Sequence, residues 1–122
     1  MKTSNKKYEI TDIAHETYPF LHRIRALRDI GENVKAGDLG GFVEGEHNLE
    51  TELSDSAWIF DDAIACGSAY VNQDSSLHNT AIACDHAYVS CGSTLYGQAR
   101  AEDDAYLRGA VTVSYTHLRA HE

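Results

Sequence analysis

The stretch AIACGSAYVNQDSSLHNTAIACDHAYVS, residues 63–90, decides the fold. Small residues return every six positions at Ala63, Ala69, Ser75, Ala81 and Ala87. Two places later an aliphatic residue returns, at Ala65, Val71, Leu77, Ala83 and Val89. Working outward, the small series extends back to Ala57 and forward through Ser93, Ala99 and Ala105 to Val111. The aliphatic series runs from Ile59 through Leu95, Ala101 and Leu107 to Val113. A short fixed period marks a solenoid, in which each repeat is buried only by its neighbours. The aliphatic residue points inward at mid-strand, the small one fits a tight corner, and the Gly, Asp or Asn before it tolerates the corner's backbone angles.

A longer period sets the cross-section. Sorted by eighteen, the aliphatic series falls into three columns: Ile59, Leu77, Leu95 and Val113; Ala65, Ala83 and Ala101; Val71, Val89 and Leu107. Outer positions sort too, with Tyr70, Tyr88 and Tyr106 in one column and Cys66 and Cys84 in another. Three hexads per turn predict an all-β triangular prism of parallel strands over residues 54–113.

Before the repeat, Lys7–Thr11 alternates as a strand; Leu21–Leu27 has an ambiguous period and reads as a second strand in preference to a helix, with Arg23 and Arg25 on one side and Ile24 and Ala26 on the other. Residues 1–33 are expected to form a small N-terminal β cap, against which Trp58 packs. Residues 34–53 are expected to form an irregular first coil, with a loop near His47–Glu52 and with Leu53 in step with Ile59. Gly40-Gly41 lacks the spacing of a phosphate loop and reads as a turn.

The chain of 122 residues carries a net charge of −9. Residues 54–113 hold eight acids against Arg100 and Arg108, a net −6. This balance argues against nucleic acid as a partner, since phosphate binding needs clustered Lys and Arg. No apolar run reaches the ~20 residues of a membrane-spanning helix. Three cysteines without a C-x-x-C pair form neither a disulfide framework nor a zinc signature, and a reducing cytoplasm is expected.

The hexads resemble the left-handed parallel β-helix of the hexapeptide-repeat superfamily. Within it, the segment Val34 to Glu44 and the run Ala57-Trp58-Ile59-Phe60-Asp61-Asp62-Ala63 resemble the YdcK-type β-solenoid proteins of bacteria and phages, which are labelled as transferases. The resemblance implies left-handedness, a homotrimer, and either a scaffold or binding module or a coenzyme-A-dependent acyltransferase with its active-site coils missing. A phage structural or assembly component is a further alternative. Residues 113–122, VSYTHLRAHE, resemble the translation of a sequencing adapter. Residues 114–122 are therefore expected to be a non-native tail, with the natural chain continuing elsewhere.

In acyltransferases of this class a histidine deprotonates the acceptor. The resemblance thus draws attention to His86, His78 and His47, none of which stands in a loop extruded from the repeat. Tyr70, Tyr88 and Tyr106 are the candidate binding residues: a stacked ladder that covers structure, meets another subunit, or receives a flat ligand. Ser68, His86 and Asp104 share a column, but a flat sheet face supplies no oxyanion hole, so they do not read as a triad. Cys66 and Cys84 read as free thiols, and Asp61-Asp62 and Asp103-Asp104 as turn formers. No metal site is read from the sequence, and coenzyme A enters only with the acyltransferase alternative.

Overall fold

The computed structural model of the chain describes residues 5–108 and the backbone of Thr112–Ser114 and His117–Leu118. It is an all-β parallel solenoid with three faces. Face I stacks Trp58–Ile59, Ser76–Leu77, Thr94–Tyr96 and Thr112–Ser114. Face II stacks Ile64–Ala65, Ile82–Ala83, Arg100–Ala101 and His117–Leu118. Face III stacks Tyr70–Val71, Tyr88–Val89 and Tyr106–Leu107. In-register partners such as Leu77 and Leu95, or Val71 and Val89, are eighteen apart. The final strand of face II departs from this, because Ala101 pairs with Leu118, a step of seventeen. The hexad register therefore breaks after Ser114, yet the chain still adds a rung; Tyr115 and His121 of the expected tail lie outside the described residues.

The interior matches the two hexad series. Ile59, Leu77, Leu95, Val71, Val89, Ala65, Ala83 and Ala101 are fully buried, and the small corner residues from Ala57 to Ala105 are buried beside them. Corners fall at Asp61, Gly67, Gln73, Asn79, Asp85, Cys91, Gly97 and Asp103, each with positive φ. Several corner side chains also bond the next rung. Asp61 Oδ2 accepts from the Asn79 amide at 2.9 Å, Asn79 Oδ1 from Gly97 at 2.9 Å, and Asp85 Oδ2 from Asp103 at 3.0 Å. Asx residues suit these positions because they tolerate the left-handed region and carry a short acceptor.

At the N-terminus, β1 (Tyr8–Ala14) and β2 (His22–Ala26) pair antiparallel. β2 continues antiparallel onto β3 (Leu39–Val43), which joins face II in parallel through Phe42–Ile64 and Val43–Ala65. The cap thus extends one face of the prism. Ile24 and Ala26 point into the core, and Tyr8 meets Trp58 edge to face at 6.2 Å.

Two local expectations need correction. Gly40 and Gly41 form no turn; they lie buried inside β3. A methyl group at Gly40 would sit 2.6 Å from the Ile59 carbonyl and 2.8 Å from the Trp58 ring, and one at Gly41 would overlap the Ala63 carbonyl. Close backbone approach, not corner geometry, requires glycine there. Leu53 is 43% exposed and out of the core, whereas Leu49 is fully buried and bridges Val71. Val43 and Leu49 keep their six-residue step across a 3₁₀ turn at Glu46–Asn48, and the step is lost after Leu49. Lys7 is fully buried, and its Nζ donates to the carbonyls of Glu50 and Ala57, each at 3.0 Å.

Candidate functional site

The tyrosine column stands on face III as the eighteen-residue period places it. Ring centroids are 5.4 Å apart for Tyr70–Tyr88 and 4.9 Å for Tyr88–Tyr106, with interplanar angles of 37° and 75°. The rings tilt progressively and do not form one coplanar platform. Tyr70 donates its hydroxyl to Glu50 Oε1 at 2.5 Å; burial, then the Glu50 hydrogen bond and charge, push its pKa upward. At the other end the Arg108 guanidinium lies 5.2 Å from the Tyr106 ring centroid. Tyr70 and Tyr88 are half-buried, and Tyr106, at 53%, is exposed. Beneath the rings, Asn72 is buried, its Oδ1 without a hydrogen-bond partner and its Nδ2 3.3 Å from the Tyr88 hydroxyl.

The three histidines are dispersed. His47 follows Glu46 in a single 3₁₀ turn and bonds the Gly67 carbonyl through Nε2 at 2.7 Å. Its neighbour Asn48 is fully buried and stitches the irregular coil to face III, accepting from Glu44 and Gly45 and donating to Gly67 and Ala69. His78 stacks flat on Phe60 of the rung below, 4.4 Å between centroids and 6° between planes. Its Nε2 is 2.9 Å from the Ser76 hydroxyl, and burial lowers its pKa, opposed by Asp61. His86 is exposed at a corner with Nδ1 3.8 Å from Asp104. Ser68 shares that column, also exposed at its corner.

On face II lies a grouping that the sequence reading did not assemble. Cys66, Cys84 and Glu102 occupy successive rungs of one outward column, and Asp85 turns the corner beside them. Cys84 Sγ and the carboxylate oxygens of Asp85 and Glu102 lie within 4.8 Å of one another. Arg100 reaches into this group, with Nε 3.2 Å from Glu102 and Nη2 3.7 Å from Cys84 Sγ. Burial raises the Cys66 thiol to about 11, reinforced by Cys84 and Glu44, and burial raises Cys84 as well. A half-open groove of about 190 Å³ runs beside them, walled by Phe20, Leu21, Ile64 and Ile82. The signal was present: Cys66 and Cys84 are eighteen apart, and so are Cys84 and Glu102. Only the first pair attracts notice, because a cysteine above a glutamate does not look like a repeat. Comparison with protein-family models, curated proteins and solved structures returned no match, so the functional reading rests on this geometry.

Proposed function

We propose that the chain is a β-solenoid scaffold that presents a binding face, and that copies of it meet through face III as a homotrimer. The tyrosine ladder carries this reading. It places three large amphipathic rings on successive rungs, framed by Glu50 and Arg108, the last of them exposed. Tyrosine supplies much contact area while keeping a polar handle, which suits it to interfaces.

The acyltransferase alternative asks for a histidine placed to act as base toward a seated acceptor. His78 Nε2 is engaged by Ser76 and its ring by Phe60, while His47 Nε2 is engaged by a backbone carbonyl. These contacts support structural roles. Light scattering on the size-exclusion-purified, reduced chain tests the proposal. A trimer is expected, and Tyr88→Asp should give a monomer with an unchanged far-ultraviolet spectrum. A wild-type monomer overturns the interface. A rise in melting temperature with acetyl-coenzyme A would overturn the scaffold reading in favour of the enzyme.

A further inference from the structure

We infer that Cys84, Asp85 and Glu102 form a binding site for a thiophilic divalent cation such as Zn²⁺ or Cd²⁺. Register makes the site. Ala65 pairs with Ala83 and Ala83 with Ala101, so the following residues, Cys66, Cys84 and Glu102, rise in one line at ~4.8 Å per rung. Two are almost wholly covered, Cys84 at 7% and Glu102 at 9% exposure, and Cys66 is half-buried. The corner then swings Asp85 in, where positive φ and the Asp103 amide hold it.

The donor set fits the ion class. One sulfur and two carboxylates match the borderline-soft preference of Zn²⁺, with water in the fourth position of its tetrahedral habit. Zn–S near ~2.3 Å and Zn–O near ~2.0–2.2 Å bring ligand atoms to roughly 3.5 Å apart. The three convergent atoms, all within 4.8 Å, reach that by small side-chain rotations. In binding, the Cys84 S–H bond is replaced by a metal–sulfur bond, and its proton passes to solvent.

Arg100 is the resident cation of the group. It pairs with Glu102 and points a guanidinium nitrogen at Cys84, yet its side chain is 42% exposed. A metal ion would take over its neutralising role while the arginine swings into solvent. Arg100 thus competes with the metal, which makes the inference sharply testable and keeps it independent of the oligomer on face III.

The test is titration of the reduced full chain with Cd²⁺, followed by the ultraviolet thiolate-to-cadmium charge-transfer band, with Zn²⁺ as competitor. A saturable band at a single ion per chain is expected. Cys84→Ser should weaken binding by at least about tenfold, with Glu102→Gln as a second variant. Cys91→Ser should leave binding unchanged, since that exposed corner thiol bonds Gln73 instead. Arg100→Gln should tighten binding. No band, a band retained in full by folded Cys84→Ser, a band lost in Cys91→Ser, or no tightening in Arg100→Gln would each overturn the site.

Discussion

Lys7 shows how one residue can close the end of a repeat. A solenoid's first coil leaves carbonyls without a rung below, and here the Glu50 and Ala57 carbonyls receive a buried ammonium. Burial lowers the Lys7 pKa to about 8, opposed by Asp55, Glu50 and Asp74. The unfolded chain therefore binds the additional proton between about 8 and the ordinary 10.5. Stability must then rise with pH across that window, and the residue's penalty is full below it. At about 1.4 kcal/mol per pKa unit the whole effect is of order 3 kcal/mol. Between about pH 7.5 and about pH 9.5 Lys7 should contribute about 2 kcal/mol of this gain in urea unfolding, and Lys7→Met should remove that share. Tyr8 and Tyr70, both raised, act in the opposite direction above about pH 10, and the raised thiols of Cys66 and Cys84 do so from about pH 9. The Lys7 share is therefore the difference between the chain and the variant. An equal slope in the variant would remove Lys7 from the account. Gly41 offers a second test: Gly41→Ala should cost roughly 1–3 kcal/mol or more in the same assay, because the added methyl meets backbone that cannot yield.

At the scale of the element, the corners carry two separable contributions, backbone conformation and a bond to the next rung. Asn79 combines them, with φ of 59° and Oδ1 accepting from Gly97. Asn79→Gly keeps the conformational freedom and loses the bond, and should cost about 1 kcal/mol. Asn79→Ala loses both and should cost about 1–2 kcal/mol more. Thermal melts of the two variants read the difference, and equal losses would mean that the left-handed geometry carries no strain. The corners were legible in the sequence because Gly, Asp and Asn recur at a fixed step. The regular coils were legible for the same reason, since inward residues alternate with outward ones. The irregular coil was not. Leu49 and Leu53 are equally aliphatic, and only the pairing of Leu49 with Val71 distinguishes core from surface. Gly40-Gly41 misled because a glycine pair looks the same whether it turns the chain or admits a neighbour's backbone. Of the candidate sites, the tyrosine column was read directly from the period. The Cys66–Cys84–Glu102 line was hidden because its members differ in kind.

For the whole molecule, the question is whether cap and prism fold as one. The core is continuous, since Tyr8, Ile10 and Ile24 of the cap join the same buried cluster as Ile59, Leu77, Leu95 and Leu107. Nearest-neighbour coupling along so short a stack leaves little room for independent units. Trp58, the single tryptophan, reports on this junction because it is 1% exposed and touches Tyr8 from the first regular coil. In urea, its emission should shift to the red at the same midpoint as the loss of the β signal in circular dichroism. Removing the cap's contact through Ile24→Ala should move both midpoints together, by the about 2–5 kcal/mol expected of a buried isoleucine. If the tryptophan shift came first, with the β signal intact, the cap would be a separate cooperative unit resting on a prism that folds without it.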